Sequence, residues 1–182
     1  GVVRKVVGPV AGGVVGVGGA IVDGDMVRIG GDMVEAALAS APKSFTLHGG
    51  SPDRAQEFGP GAMMFTAGAG CPNAYDRERG RRAGSLHDFR ETVKLQQSFD
   101  AIHKLGPAVE PQDCPIHLRH YDQMHAQLTL SDKPPTIFAR GRAQIADGFE
   151  MVRMARGLRR EAFAATPHAP TVLNTHSSPP LA

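Results

Sequence analysis

Tryptophan is missing from this 182-residue chain, aromatic residues make up only 5% of it, and it has two cysteines. Each shortage removes a class of function. A nucleic-acid surface wants a broad basic face interleaved with stacking aromatics. A formal charge of +2, with one short run at Arg79, Arg81 and Arg82, offers neither, and that run reads as a solvated loop. Two cysteines, Cys71 and Cys114, cannot build a disulfide framework, so a reducing, cytoplasmic setting is expected and both thiols read as buried small hydrophobes. The uncharged stretch Val6 to Val22 after Arg4 and Lys5 imitates a signal peptide, but Gly and Pro interrupt it and it is short for a membrane span. Neither leader nor anchor is expected. Gly16, Gly18 and Gly19 evoke a dinucleotide loop, yet Ile21 holds the place of the last glycine. There is no initiator Met, which suggests a start inside a longer reading frame.

What is present can fold around one substantial core, since 41% of the residues are hydrophobic. From Ala20 the spacing predicts a hairpin, Ile21 and Val22 against Met26, Val27 and Ile29, turning at Asp23-Gly24. A short helix follows, capped by Asp32, with Val34, Ala37 and Leu38 inward and Pro42 at its end. Ser44 to His48 and Ala62 to Thr66 read as strands on either side of the turn-rich SPDRAQEFGPG. GAGCPN, from Gly68 to Asn73, reads as a connecting loop.

The texture changes at Gly84. Ser85, three residues before Asp88, has the form of a capping box, and Leu86, Phe89 and Val93 recur at helical spacing, with Leu95 and Phe99 widening the apolar face. A strand from Ile102 to Val109 then ends in the polar group Glu110, Pro111, Gln112, Asp113. Asp113 is placed to cap a helix from Cys114 to Leu130. Asp132 and Lys133 fix the turn into a strand from Thr136 to Ala139, a helix runs from Arg142 to Arg160 with Ile145, Phe149 and Val152 inward, and Thr171 to Asn174 forms a last strand. Strict alternation of strand and helix implies an α/β fold with a parallel sheet, either a (β/α) barrel or a doubly wound sheet. Residues 1–84 would form an antiparallel extension and 85–182 the βα units.

Several segments resemble the trimethylamine methyltransferase family of corrinoid-dependent methyltransferases. VDGDMVRI (Val22 to Ile29), VEAALASAPKSFTLHG (Val34 to Gly49) and GRRAGSLHDF (Gly80 to Phe89) are similar to the family's N-terminal region. VEPQD (Val109 to Asp113), RHYDQMHAQLTLSDKP (Arg119 to Pro134) and NTHSSPPL (Asn174 to Leu181) are similar to its first barrel strands and loops. Family members are longer and form a (β/α)8 TIM barrel, so the resemblance implies the N-terminal portion of an incomplete barrel. Such a piece is expected to be inactive alone.

The resemblance further implies methyl transfer from a tertiary or quaternary amine, of the trimethylamine or glycine betaine type, to the Co(I) of a corrinoid carried by a partner protein. Glu110 would present negative charge to the ammonium group. Gln112 and Asn174 would hydrogen-bond a carboxylate or carbonyl of the substrate, and His176 would orient either. Asp113 goes to the helix cap, and Glu110 has Arg119 or Arg140 as alternative partners. Association into a homo-oligomer is compatible with this reading; nucleic acid and membrane partners are not expected. Two rival readings stand beside it. His117, Tyr121 and His125 recur on one helix face with His120 nearby, which would suit a metal-dependent TIM-barrel hydrolase. A truncated, non-catalytic interaction module would expose the apolar faces and strand edge meant for missing neighbours.

Overall fold

The computed structural model describes residues 2–5, 19–23, 26–68, 70–137 and 141–170. They divide into two compact units, the first ending at Lys43 and the second running from Ser44 to Leu173.

The first unit is a small antiparallel sheet and a helix. Strand β3 (Met26–Ile29) lies between β1 (Val2–Lys5) and β2 (Ile21–Asp23), and Asp23 pairs with Met26 across the expected hairpin. Helix α1 (Gly31–Ser40) starts two residues earlier than the sequence suggests. Its N-cap is Gly30, whereas Asp32 lies in the first turn, where its charge favours the positive end of the helix dipole. No α1 residue is buried, so Val34 and Leu38 do not form the inward side expected of them.

In the second unit, β4 (Phe45–Leu47) pairs antiparallel with β5 (Gln56–Phe58), and the rings of Phe45 and Phe58 stack at 4.7 Å. The loop expected at SPDRAQEFGPG thus contains a strand, preceded by a single 3-10 turn at Pro52–Arg54. A second hairpin, β6 (Asn73–Asp76) with β7 (Gly80–Ala83), carries the arginines expected in a solvated loop. There Arg82 pairs with Asp76 at 2.6 Å and with Asp88, tying the hairpin to the next helix.

That helix, α2 (Leu86–Ser98), begins at the expected capping box: the Asp88 amide donates to Ser85 Oγ at 3.1 Å and the Ser85 amide to Asp88 Oδ2 at 3.1 Å. Burial alone would raise the Asp88 carboxyl, but the Ser85 and Arg82 hydrogen bonds outweigh it and hold it below the usual carboxylate range. Phe89 and Val93, four residues apart, are buried against Leu105 and Ala126 of the following segments. Full burial of such a side chain stabilises by about 1.5–3 kcal/mol. Leu95 and Phe99 point outward, both more than half exposed, so the apolar face is narrower than the sequence implies.

Extended segments follow in sequence order. Single parallel bridges join Thr66 with Lys104 and Cys71 with Val109. The Leu105 amide donates to the Pro134 carbonyl at 3.1 Å, and the Ile137 amide to the Pro170 carbonyl at 3.1 Å. The expected strands Ala62–Thr66 and Ile102–Val109 are therefore bridged segments rather than continuous strands. The reason is local: Pro107 has no N–H to donate, and the Gly106 amide goes to Gln96 Oε1 of α2 at 2.8 Å. The strand expected at Thr136 to Ala139 is described only to Ile137, and the one at Thr171 to Asn174 lies outside the described residues.

Helix α3 (Arg119–Leu130) begins later than the sequence suggests, because Pro115 to Leu118 form a tight turn in which the Leu118 and Arg119 amides both donate to the Pro115 carbonyl. Asp113 does not cap it; its Oδ1 accepts the Leu86 amide at 2.8 Å, serving the first turn of α2. The helix expected from Arg142 to Arg160 is two, α4 (Arg142–Ala155) and α5 (Arg160–Ala165), separated at Gly157, whose φ of +62° suits glycine. Met124 of α3, Ile137 and Val152 of α4 form a second core, with Ile145 and Phe149 packed on it as their spacing predicts. Gly148 lets α4 approach, since a Cβ there would lie 2.9 Å from Ile137.

Candidate active site

The polar residues after Val109 sit where the 104–109 segment gives way to the turn leading into α3. Gly84 makes this junction possible. A Cβ on it would strike the Val109 side chain and lie 2.8 Å from the Glu110 carbonyl, while its own carbonyl accepts the Gln112 amide at 2.8 Å. The backbone of Glu110 is fixed by its amide, which donates to the Cys71 carbonyl at 2.8 Å.

The Glu110 side chain turns inward. Its carboxylate meets Arg119 Nη1 at 3.1 Å and accepts from Gln123 Nε2 at 3.3 Å, and the Glu110 and Arg119 side chains are each 11% exposed. Of the two arginine partners the sequence allows, Arg119 is one; Arg140 lies outside the described residues. Removing one member of so buried a pair typically costs about 3–5 kcal/mol, because the other charge is left uncompensated. Gln112, by contrast, is exposed, and its Nε2 donates to the Glu110 carbonyl at 3.0 Å. Asn174 and His176 lie outside the described residues, so Glu110 and Gln112 are the two sequence-derived candidates whose positions are described. Sequence reasoning missed Gln123, although its four-residue spacing from Arg119 was a usable signal.

Two lysines are buried in the same unit. Lys104 Nζ donates to Thr136 Oγ1 at 2.8 Å and to the Leu105 carbonyl at 3.1 Å, and burial pushes its ammonium below the ordinary lysine range. Lys133, 1% exposed, donates to the Gln96 and Phe99 carbonyls at 2.6 and 2.7 Å. Its neighbour Asp132 accepts from Ser51, Arg54 and Gln97, so the pair ties this turn to residues 51–54 and to α2.

Cys114 is buried, as expected, and burial with help from Asp122 pushes its thiol up to about 11. Cys71 is exposed, contrary to expectation. The helix histidines do not converge. His117 and His125 are exposed, whereas His120 Nε2 lies 3.1 Å from Asp147 Oδ2, which also accepts from the Tyr121 hydroxyl at 2.7 Å. Among the described residues no group of three or more His, Cys, Asp or Glu side chains is placed to hold a metal ion. Among them, too, no helix is long and apolar enough to cross a membrane.

Comparison with known proteins gives this junction its setting. The family described as trimethylamine methyltransferase matches residues 3–182. The chain belongs to the trimethylamine methyltransferase family. It is also 31% identical over 137 residues to a glycine betaine methyltransferase of Desulfitobacterium hafniense (strain Y51), a match covering 75% of this chain. The matched region spans 29% of that relative's length. For this family, then, the buried Glu110, Arg119 and Gln123 group stands within the matched region, at the end of an extended segment.

Proposed function

We propose that these residues belong to an enzyme that moves a methyl group from a tertiary or quaternary amine to the Co(I) of a corrinoid carried on a separate small protein. The family match over residues 3–182 carries this reading. The corrinoid is a second substrate here, and its metal supplies the attacking electron pair. That pair would form the new bond to the methyl carbon while the electrons of the broken C–N bond stay on nitrogen, so an amine already carrying positive charge is the better leaving group. The protein's part is to hold the ammonium with one methyl in line and to keep water away, rather than to supply a base.

The order of the extended segments supports a (β/α) barrel for the second unit. The segments holding Phe65, Thr66 and Cys71, then 103–110, then 134–137, then Pro170 are linked each to the next in sequence order, with α2, α3 and α4 between them. A doubly wound sheet would reverse direction at a switch point. The first of these segments already lies before Gly84, where the sequence texture changes. In a barrel, ligands are met at the C-terminal ends of the strands. On this reading Glu110 faces the ammonium, with Gln112, Asn174 and His176 serving the rest of the substrate, and the setting is cytoplasmic.

The test is methyl transfer from glycine betaine or trimethylamine to a purified, reduced corrinoid protein, followed through the corrinoid absorbance. The full-length protein is expected to turn over one of the two amines, and these 182 residues alone neither. A full-length protein that demethylates no amine of this class under reducing conditions would refute the proposal.

A further inference from the structure

Glu110 is gripped at both carboxylate oxygens from one helix. Arg119 and Gln123 stand four residues apart on α3, so their side chains leave the same face one turn apart. Arg119 Nη1 meets Oε1 at 3.1 Å, and Gln123 Nε2 donates to Oε2 at 3.3 Å. The grip is itself anchored, because Arg119 Nη2 donates to the Cys114 carbonyl at 3.3 Å. Gln123 is 2% exposed, so neither it nor the ion pair samples other orientations at a surface.

Two consequences follow. A carboxylate accepts about four hydrogen bonds, and α3 supplies one at each oxygen. The pair with Arg119 also compensates its charge, so an arriving ammonium is drawn less by net charge than by the direction in which the oxygens face. Recognition then depends on orientation, and α3 supplies two of the contacts that hold it.

We infer that Arg119 is a positioning residue for Glu110, with Gln123 as the second point of the grip, and that together they aim the carboxylate at the substrate's ammonium group. The inference rests on the reading of Glu110 as a substrate residue, and the experiment separates the two. Glycine betaine binding is measured by titration calorimetry in the full-length protein and in Glu110→Gln, Arg119→Met, Arg119→Lys and the Glu110→Gln/Arg119→Met double variant.

Glu110→Gln and Arg119→Met are each expected to raise Kd about tenfold or more, roughly the effect of one lost charged hydrogen bond. Arg119→Lys keeps the charge but loses the fork, and should recover part of the loss. The double variant should bind no more weakly than Glu110→Gln alone, because Arg119 acts through the carboxylate. Should Arg119→Met fail to fold with its buried carboxylate uncompensated, Arg119→Lys and the double variant, which removes that charge, still decide.

Losses that add in the double variant would overturn the inference, since Arg119 would then act independently. So would Glu110→Gln binding tenfold more weakly while both Arg119 variants bind as the unaltered protein does. An unchanged Kd in Glu110→Gln, or no binding by the unaltered protein, would defeat the reading of Glu110 itself and the inference with it.

Discussion

Replacing Lys133 by Met should remove the C-terminal anchor of α2. That helix has no basic residue in its own last turn, and its end is served instead by an ammonium from 34 residues downstream of Phe99, donating to the Gln96 and Phe99 carbonyls at 2.6 and 2.7 Å. Methionine preserves most of the stem's length and packing, so the substitution isolates the head group. Two hydrogen bonds from a charged donor are worth about 1.5–3 kcal/mol each, which sets an upper figure of about 3–6 kcal/mol. Against this stands the burial of the charge, which pushes the Lys133 ammonium below the ordinary lysine range, so its removal returns part of that sum. A net loss of about 1–3 kcal/mol is expected, most of it from the buried Gln96 carbonyl, because the Phe99 carbonyl keeps the Ile102 amide as a donor at 3.0 Å. Urea denaturation followed by circular dichroism measures the total, and amide exchange locates it: residues Gln96 to Asp100 should exchange faster before the rest of the unit does. A Lys133→Met variant within about 0.5 kcal/mol of the parent, with unchanged exchange at this helix end, would refute the anchoring argument, because such a change is typical of an inert surface site.

Three further outcomes follow from the same geometry. Of the two thiols, the folded protein at pH 8 should react with a thiol reagent at Cys71 only, since Cys114 is buried and pushed up to about 11; urea should expose both, as mass spectrometry of labelled peptides would show. Gly84→Ala should destabilise by about 1–3 kcal/mol, as an overpacked site does, because its Cβ meets Val109 and the Glu110 carbonyl; an unchanged melting temperature would contradict the close approach. Burial, with His48 and Arg156 nearby, lowers the His168 pKa below 6.5, so the unfolded chain binds more protons there than the folded one. Stability should therefore fall as pH drops below about 6.5, and His168→Gln should flatten the curve between pH 7 and 5, above the range where Asp88 and Asp132, both held low, begin to titrate.

What could be read in the sequence was what the chain decides over a few residues. The Ser85 and Asp88 capping box needs only a spacing of three, and Phe89 with Val93 only a helical turn, so both stand where the pattern puts them. The hairpin of β2 and β3 is equally local. Asp113 shows where that reading stops. It sits correctly for a cap on the following helix, but its oxygen accepts the amide of Leu86, 27 residues earlier, a partner that no window around residue 113 contains. In the site, the polar character of Glu110 and Gln112 was legible, while the inward turn of Glu110 was not, since it follows from where Arg119 and Gln123 stand once α3 has packed.

The glutamines explain the remaining gap between pattern and structure. Gln96, Gln123 and Gln127 are polar letters that a periodicity argument assigns to solvent, yet all three are buried. Gln127 faces Thr136 as a strand would, its Oε1 accepting the Thr136 amide at 2.8 Å and its Nε2 donating to the Thr136 carbonyl at 3.1 Å; Gln96 accepts the Gly106 amide likewise. Helix side chains thus satisfy backbone groups that proline and glycine leave without a ladder partner. Buried backbone must be paired by something, and a primary amide carries a donor and an acceptor at the spacing of a peptide group. A segment such as 102–109 can therefore be extended, buried and in register with its neighbours while forming only single bridges, because part of its pairing comes from the helix packed over it rather than from the segment beside it.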